Sequence, residues 1–575
     1  MLDSRRAGWK TAPRVNAPRL SALLLALALT APAAAADRVT VTVLETSDLH
    51  ANLLPWNYAR GAAGDWGLAR VATRVREIRA TTPNVLLLDG GDTIQGAPIG
   101  WLEARRPSGG PHPMAAAMSA LRYDAMAVGN HEFNFGLEVL RRAEKDSSFP
   151  WLSANTRNAS DGRAAFPEYV VKEFGGVRVG VLGLTTPNIP GWEPAANRPG
   201  LAWEDPVVTA KRLVPLLRGR LRCDVVVALF HSGLEADPET GEPNGTAHEN
   251  RVVALAREVP GIDLILTGHT HRKLALTRVN GVPVVQPGRW GEVLARVDLV
   301  VERSGGKAKV VEAKGELLPS DPSVATDAEI AAIAKPHHER ALAYLNEPIA
   351  IATGPFPGER ARLEDTALLD LINETQLAAT KADLSLTSLL PFRFDGWETG
   401  PLTVRQVYAL YPYENQLVVV EVDGARLRAV LEHAATYYGK AEWRDGQLVL
   451  VPDAGMTPYN FDVLQGASYR VDPTAPVGRR VTELRYRGRD VKDDDRFSLA
   501  VNSYRAQGSG GYTALKGTKV LRTYNDEIRE LLVDRLRSLG KVDPVTDGNW
   551  VVTPRTSWAP SPAPASPPAI AAPSR

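Results

Sequence analysis

Short runs of aliphatic and β-branched residues alternate with helical stretches from about residue 37 to residue 320. The runs include VTVTVLE, NVLLLDG, VRVGVLGLT, DVVVALF and DLILTG, and between them lie segments such as LARVATRVREIRA and VVTAKRLVPLLRGRL. Strands buried on both faces have nearly continuous apolar sequences, and their alternation with helices is typical of a largely parallel sheet. We therefore predict an α/β domain over residues 37–325.

A second region, residues 346–552, combines helical segments with strand-like segments such as QLVVVEVDG and RFSLAVNSY, which predicts a separate α+β domain. A capping box, Thr326–Asp327–Ala328–Glu329, predicts a linker helix over residues 326–345, which Pro336 should kink or interrupt. Residues 553–575 are rich in Pro, Ala and Ser, and we predict a disordered tail there.

The first 36 residues have the pattern of a signal peptide. Basic residues precede the apolar run LSALLLALALTAP, and small residues follow it, with cleavage expected after Ala36. The alternative, a transmembrane anchor, is disfavoured because the apolar core is short, and no later run is long enough to span a bilayer. We therefore expect an exported protein, periplasmic or secreted, without a transmembrane anchor.

Cysteine content and charge limit the protein further. Cys223 is the single cysteine, so no internal disulfide forms, and its apolar neighbours favour a buried side chain over a reactive thiol. Lys and Arg number 67 against 66 Asp and Glu. This balance gives no support for binding a nucleic-acid polymer or an acidic membrane through global charge.

Five of the apolar runs end in side chains that can bind divalent metals. In chain order these side chains are Asp48 and His50, Asp89 and Asp92, Asn130 and His131, His231, and His269 and His271. In an α/β sheet, ligands gather at the carboxyl ends of the strands. A single such histidine is more often structural, but these stretches contain five of the chain's ten histidines. Mixed imidazole, carboxylate and amide donors indicate two ions, Zn, Mn, Fe or Co, bridged by one carboxylate.

The motifs DLHANL, GDTIQG, GNHEFNFG, FHSG and GHTH together resemble those of calcineurin-like metallophosphoesterases. The later motif NSYRAQGSGGY is similar to that of the secreted 5′-nucleotidase family, which includes the 2′,3′-cyclic-nucleotide 2′-phosphodiesterase/3′-nucleotidases. The resemblance covers residues 37–550. It implies a four-layer α/β sandwich, a separate substrate-binding domain and a metal-dependent phosphoric ester hydrolase.

The resemblance also implies roles for individual residues. It assigns Asp48, His50 and His271 to one ion, Asn130, His231 and His269 to the other, Asp92 to the bridge, and His131 to contact with the phosphate. Asp89 is not a ligand in the family and is expected to be a supporting carboxylate. In the second domain, Tyr413 and Tyr504 match the two rings that hold the nucleobase, and Arg393 matches an arginine that contacts substrate. The alternatives are packing at a strand edge for each tyrosine and a solvated surface position for Arg393.

Three positions depart from the 5′-nucleotidase pattern, while Asn134 and the stretches YNFDVLQG and NSYRAQGSGGY resemble the cyclic-phosphodiesterase branch. Asn134 stands where 5′-nucleotidases usually carry an aspartate paired with the catalytic histidine, Gly510 replaces a ribose-binding aspartate, and SLTSLLPFR lacks an Asn-Gly-Gly-Gly run. We therefore expect hydrolysis of 2′,3′-cyclic and 3′-nucleotides, with His131 and Asn134 as the catalytic pair. The alternatives are a 5′-nucleotidase or nucleotide-sugar hydrolase, a sulfur-ester hydrolase, and a non-catalytic nucleotide-binding or adhesion module. The oligomeric state stays open.

Overall fold

The computed structural model describes residues 37–304, 307–413, 415–444, 447–453, 455–554 and 556–558. The predicted signal peptide, residues 1–36, and residues 559–575 of the predicted tail lie outside this range. Within it, no helix is both long and apolar enough to cross a membrane.

Two six-stranded sheets form the N-terminal domain. The first sheet contains, in spatial order, Lys307–Pro319, Val293–Ser304, Asp37–Thr46, Val85–Asp89, Ala125–Ala127 and Trp151–Leu152. The second sheet contains Lys273–Val279, Val282–Pro287, Leu264–Thr267, Val225–His231, Val177–Thr185 and Tyr169–Phe174. The strands that precede the predicted ligands pair in parallel within each sheet, so their carboxyl ends lie at one edge.

The two sheets pack face to face because side chains along each strand point alternately to opposite faces. In the strand Val225–His231, the face toward the core between the sheets carries Val225, Val227 and Leu229. The opposite face, which packs under helices, carries Val226, Ala228 and Phe230. In the first sheet, Val41, Val43, Leu86 and Leu88 join the same inter-sheet core. This double burial explains the continuous apolar sequences of the strands.

Helices cover the outer faces of both sheets and complete the predicted four-layer sandwich. They are Leu68–Thr81, Pro98–Arg105, Pro113–Ala120, Leu137–Asp146, Ile189–Trp192, Pro206–Pro215 and Val252–Glu258. The helix Pro206–Pro215 continues as a π-helical turn over Leu216–Arg220. Short strand pairs, Trp56–Asn57 with Ala62–Ala63 and Thr156–Asn158 with Leu201–Trp203, lie in the loops. Cys223 is buried, as predicted.

One helix, Ala328–Leu345, connects the domains, and it differs from the sequence prediction in two details. Asp327 rather than Thr326 is the N-cap, because its carboxylate accepts the backbone N–H groups of Glu329 and Ile330. The predicted interruption at Pro336 is wrong, since the helix continues through that residue. Buried side chains before and after Pro336 hold both halves of the helix against the domains, so packing offsets the lost backbone hydrogen bond.

The C-terminal domain is α+β, as predicted, and is built around a five-stranded sheet. Its strands, in spatial order, are Asp462–Gln465, Leu384–Ser388, Arg496–Asn502, Gln416–Asp423 and Val520–Glu527. Its helices are Ala367–Thr380, Val404–Leu410, Gly424–Ala435, Ser503–Ala506 and Ile528–Leu539. Four smaller sheets complete the domain. Three of them are Arg489–Asp490, Val481–Tyr486, Ser468–Val471 and Trp550–Val552; Gly400–Thr403, Pro348–Ala352 and Lys541–Val542; and Phe356–Pro357 with Gly396–Trp397.

The last small sheet corrects the predicted start of the tail. It joins Lys440–Arg444, Gln447–Val451 and Thr556–Trp558, the last two strands running in parallel. Residues 556–558 therefore pair as a strand, although residue 553 was the predicted start of disorder. Composition alone missed this strand, because the pairing of backbone groups needs no apolar sequence of its own.

Candidate dinuclear metal centre and substrate slot

The seven predicted ligands all lie at the edge where the parallel strands of both sheets end. Asp48 and His50 follow Asp37–Thr46, Asp92 follows Val85–Asp89, and Asn130 follows Ala125–Ala127, all in the first sheet. The second sheet supplies His231, the last residue of its strand, and His269 and His271, which follow Leu264–Thr267.

Five of the seven residues adopt positive backbone φ angles, which L-residues rarely do. The values are 53° for Asp48, 47° for His50, 58° for Asp92, 71° for His269 and 54° for His271. Each such residue costs about 1–3 kcal/mol, and such conformations concentrate at functional sites. The strands therefore end in sharp turns that aim these side chains at a common point instead of continuing outward.

Asp48, His50 and His271 form a first cluster, in which the possible ligand atoms all lie within 4.8 Å of one another. His50 Nε2 lies 3.2 Å from His271 Nε2, and His271 Nε2 lies 3.3 Å from Asp48 Oδ1. The other ring nitrogen of His50, Nδ1, lies 3.1 Å from the carbonyl oxygen of Gln95, which fixes the ring orientation.

Asp92, His231 and His269 form a second cluster with the same closeness of ligand atoms. His231 Nδ1 donates to the carbonyl oxygen of Gly90 at 2.7 Å, so its Nε2 is the free ligand atom. That Nε2 lies 3.0 Å from Asp92 Oδ2 and 3.1 Å from Asn130 Oδ1. All seven predicted ligands are thus brought together, and Asp92 lies where it influences the pKa of both His50 and His231.

The donor set fits divalent cations. Two nitrogens bound to one zinc ion at about 2.0–2.1 Å and a tetrahedral angle lie about 3.4 Å apart, which matches the approach of His50 Nε2 to His271 Nε2. Asp92 Oδ2 is buried and makes no hydrogen bond within the described residues, despite its closeness to His231. Atoms of this kind stay so close only with a cation between them, either a proton on His231 or a bound metal ion.

The charges of the cluster favour a cation as well. Burial, followed by the neighbouring His131, lowers the pKa of His50 to about 4, so its ring is neutral near pH 7 and can coordinate a metal. Burial alone would lower the pKa of His231, but the Asp92 carboxylate raises it to about 10. The carboxylates therefore stabilise positive charge at His231, and a bound metal would displace that proton.

His131 lies beside the first cluster, with its ring centroid 5.2 Å from that of His50. Its backbone N–H donates to Asp92 Oδ1 at 2.8 Å, and its Nδ1 lies 2.6 Å from Asn134 Oδ1. The predicted catalytic pair is therefore in hydrogen-bond contact. Asn134 in turn donates through Nδ2 to the buried carboxylate of Glu193, a contact that no sequence pattern indicated.

Glu132 is a second residue that the sequence analysis missed. Its carboxylate is fully buried and accepts the backbone N–H groups of Asp92, Thr93, Ile94 and Gly129. It therefore joins the loop that carries Asp92 to the loop that carries Asn130. Its position in the quoted motif GNHEFNFG was the available signal.

Asp89, which was expected to be a supporting carboxylate, is fully buried at the end of the strand Val85–Asp89. It accepts hydrogen bonds from the hydroxyls of Thr46 and Thr93 and from the Gly91 N–H. Burial raises the pKa of Asp89 to about 7. These bonds join the end of the strand Asp37–Thr46 to the loop that follows Val85–Asp89.

The predicted tyrosines lie within an exposed group of aromatic rings, the aromatic cluster, made of Phe392, Tyr413, Tyr459 and Tyr504. Tyr413 and Tyr504 are each 43% exposed. The Tyr459 ring packs edge-on against Tyr413 at 6.2 Å and Phe392 at 5.9 Å. The sequence analysis missed Tyr459 and Phe392, although both lie in quoted stretches. Arg393 is exposed and directly follows Phe392, at the border of the cluster.

A buried ion pair supports Tyr504 from below. Arg505 binds Asp462 with two hydrogen bonds, of 2.7 and 3.1 Å, and also donates to the carbonyl oxygen of Tyr459 at 2.7 Å. Its guanidinium lies 5.3 Å from the centre of the Tyr504 ring. Because Arg505 is fixed by a bidentate pair, it holds Tyr459 and Tyr504 in a defined relative position.

The aromatic cluster faces the metal centre across the domain boundary. Gln507, just after the helix that carries Tyr504, donates to the carbonyl oxygen of Gly191 at 2.6 Å. Burial raises the pKa of Tyr504, and the negative charge of the nearby Glu249 raises it further. The same Glu249 lies 3.9 Å from Nε2 of the predicted ligand His269, so it is close to both sites. A molecule with a flat apolar part and an anionic part could contact both sites.

Comparisons with known proteins agree with this geometry. Residues 41–273 match the family model for calcineurin-like phosphoesterases, and residues 348–517 match that for the 5′-nucleotidase C-terminal domain. The chain is 30% identical over 604 residues to a 2′,3′-cyclic-nucleotide 2′-phosphodiesterase/3′-nucleotidase of Salmonella typhimurium, covering 93% of this chain and 92% of that protein.

Two further proteins extend the comparison. The chain is 28% identical to the trifunctional nucleotide phosphoesterase protein YfkN of Bacillus subtilis; the match covers 96% of this chain but 42% of that longer relative. The solved structure of a 5′-nucleotidase precursor from Thermus thermophilus superimposes with a TM-score of 0.60 at 26% identity, covering 89% of this chain and 99% of that one. The similarity therefore includes both domains.

Proposed function

Because the chain belongs to the 5′-nucleotidase family of calcineurin-like phosphoesterases, we propose that it hydrolyses 2′,3′-cyclic nucleotides and 3′-nucleotides to nucleoside and phosphate. Membership of this family makes the protein a metal-dependent phosphoric ester hydrolase. The observation that carries the proposal is the convergence of the two clusters around Asp92, next to His131. The name of the Salmonella relative and the presence of Asn134 favour the cyclic and 3′ substrates over 5′-nucleotides.

The proposed cofactors are two divalent ions, Zn, Mn, Co or Fe. Asp48, His50 and His271 would hold one; the other would be held by Asn130, His231 and His269; and Asp92 would bridge them. When bound, such ions lower the pKa of a water molecule and neutralise charge on the phosphoryl oxygens. The mixed nitrogen and oxygen donors, with no thiolate, support this set of metals.

His131 would supply the proton that the leaving group needs. Attack of a water oxygen on phosphorus forms one P–O bond as the P–O bond to the ribose breaks. The ribose oxygen then takes a proton from His131 Nε2, and a proton lost by the attacking water restores His131 for the next step. In a cyclic substrate the ribose oxygen released first is O2′, which leaves a 3′-nucleotide. The same centre then releases O3′, so one proton donor serves both steps.

The aromatic cluster would hold the nucleobase. Stacking on a ring contributes about 1–3 kcal/mol per base and accepts any base, so it provides affinity without selecting base identity. The half-exposed rings of Tyr413 and Tyr504 support this role, because a ring committed to core packing would be covered. Arg393 would contact the substrate at the border of the cluster.

We also propose that the protein is exported to the periplasm or secreted, on the pattern of residues 1–36. Nucleotides released outside the cytoplasm would then be its substrates. The near-balanced charge of the chain gives no support for a nucleic-acid polymer as partner.

A substrate panel tests the activity. The metal-loaded protein should convert 2′,3′-cyclic AMP to 3′-AMP and then to adenosine and phosphate, and kcat/KM for 5′-AMP should be at least about tenfold lower than for 3′-AMP. Product analysis by chromatography follows both steps. A kcat/KM for 5′-AMP equal to that for 3′-AMP would favour the 5′-nucleotidase alternative. No phosphate release in Mn²⁺ or Co²⁺, with Asp92→Ala unchanged in behaviour, would favour a binding module.

A further inference from the structure

A continuous chain of hydrogen bonds leads from His131 into the protein interior. His131 Nδ1 lies 2.6 Å from Asn134 Oδ1, and Asn134 Nδ2 donates to Glu193 Oε1. The second carboxylate oxygen of Glu193, Oε2, accepts from Asn197 Nδ2 at 3.2 Å, and the same nitrogen lies 3.0 Å from the carbonyl oxygen of Asn134. Both ends of the Asn134 carboxamide and both oxygens of Glu193 are therefore engaged.

The polarity of this chain follows from the groups that form it. An ionised carboxylate can only accept hydrogen bonds, so the Asn134 carboxamide must present Nδ2 to Glu193. Its Oδ1 then faces the imidazole and can only accept, which requires a proton on His131 Nδ1. The remaining nitrogen, His131 Nε2, is directed away from the chain.

Glu193 has no cationic partner on its carboxylate within the described residues. The nearby Arg198 donates through Nε to the backbone carbonyl of Glu193 and not to its side chain. The side chain is only 6% exposed, so solvent does little to screen its charge. A buried carboxylate with two amide donors therefore forms strong hydrogen bonds that fix the Asn134 carboxamide, and through it the orientation of the His131 ring.

We propose that Glu193 is a positioning residue for His131, acting through the Asn134 carboxamide. The chain holds the ring in the tautomer with the proton on Nδ1 and in the orientation that leaves Nε2 free to face the leaving oxygen. The Asn134 carboxamide, itself fixed by Glu193, thus takes the place of a directly paired aspartate. This inference rests on the proposed function.

Glu193→Gln provides the main test, because it keeps the shape but replaces the charge-assisted hydrogen bonds that fix the Asn134 carboxamide with weaker neutral ones. We expect kcat for 3′-AMP to fall about tenfold, while KM and the content of two metals per chain change less than about twofold. Hydrolysis of p-nitrophenyl phosphate should fall much less, since its leaving group needs little proton donation. Glu235→Gln is the matched control. Glu235 is also buried and accepts two N–H groups, from Val253 and Ala254, so its variant should stay within about twofold of wild type.

Rescue separates positioning from a purely structural role. In the Glu193→Gln background, Asn134→Asp places a carboxylate directly on His131 Nδ1, and we expect kcat for 3′-AMP to recover at least half of the loss. In wild-type background, Asn134→Asp sets two carboxylates against each other and should lower kcat. No recovery in the double variant, together with equal losses on both substrates, would overturn the proposal.

Nitrogen NMR of the metal-free protein gives a readout that does not depend on turnover. Wild-type protein should show His131 protonated at Nδ1, assigned by loss of the signals in His131→Gln, and Glu193→Ala should shift the ring toward a mixture of tautomers. Unchanged signals in Glu193→Ala would refute the positioning role. If wild-type protein hydrolysed none of the nucleotides while this shift occurred, the proposed function would fail and the positional effect of Glu193 would stand.

Discussion

Replacing Gly268 with alanine should weaken metal binding through a defined steric contact. A Cβ atom at this position would lie 2.1 Å from Ser47 Oγ and 2.9 Å from Asp48 Oδ2. Ser47 Oγ donates to Asp48 Oδ2 at 2.6 Å, and that oxygen also accepts the His269 N–H. The backbone at Gly268 does not lie in the left-handed region, so the variant tests the contact and not the backbone conformation.

The magnitude follows from the hydrogen bond that must break. The Ser47 hydroxyl has to move by at least 1.3 Å, from 2.1 Å to the 3.4 Å of an ordinary contact, which removes its bond to Asp48. A hydrogen bond to a charged group contributes about 1.5–3 kcal/mol. At about 1.4 kcal/mol per tenfold change in affinity, binding of the ion held by Asp48 should weaken about 10- to 100-fold.

Titration calorimetry of the metal-free protein with Mn²⁺ measures this change, and a double-mutant cycle with Ser47→Ala isolates its cause. Ser47→Ala removes the hydroxyl, so the 2.9 Å contact with Asp48 is the closest that remains in the double variant. Gly268→Ala should then weaken binding further by less than about threefold. Gly219→Ala is the matched control, because a Cβ there meets no atom within 4 Å.

Two outcomes of this cycle would contradict the role of the Ser47 hydroxyl or of Asp48. If Gly268→Ala weakens Mn²⁺ binding by the same factor with Ser47 and with Ala at position 47, the Ser47 hydroxyl is not the cause. If it weakens binding in neither background, Asp48 does not hold the ion whose affinity is measured.

Three further outcomes are expected. His131→Ala should retain two metals per chain by elemental analysis while kcat for 3′-AMP falls at least about 100-fold; loss of metal in step with activity would contradict its role as proton donor. Tyr504→Ala should raise KM for 3′-AMP about tenfold and leave KM for bis-p-nitrophenyl phosphate nearly unchanged, because only the former has a base to stack; equal changes would exclude stacking. Burial lowers the pKa of His112 to about 4 from its ordinary 6.5, so its contribution to stability is complete above pH 6.5 and is lost as pH falls toward 4. In urea unfolding of metal-free protein, the free energy of unfolding should therefore fall between pH 6.5 and pH 4 by up to about 3 kcal/mol less in His112→Leu than in wild type.

The sequence predicted the two-domain architecture because strand and helix periods are local properties. Apolar runs such as DVVVALF identify strands covered on both faces, and the polar residues that follow them identify the edge where those strands end. Residues such as Asp48 and His269, which follow strands in separate sheets, could be assigned to one site through the topology and the family resemblance.

The remaining features depend on contacts between segments distant in sequence. Glu193 lies 59 positions from Asn134, and nothing in its neighbours indicates that its carboxylate reaches that carboxamide. Pro336 was expected to interrupt the linker helix because local propensity takes no account of packing on both sides of the proline. The left-handed backbone of Asp48 and His50 also escapes prediction, since asparagine or glycine would be the usual residues in such turns.

Each metal cluster takes side chains from both halves of the sandwich: Asp48 and His50 with His271, and Asp92 with His231 and His269. A cation bound in either cluster therefore cross-links the two sheets at the rim, the edge where their parallel strands end. Elsewhere the sheets are joined by the apolar core between them. Chelation should leave that interior intact and let the rim splay apart. The protein would then become sensitive to proteases at the rim loops well before it unfolds.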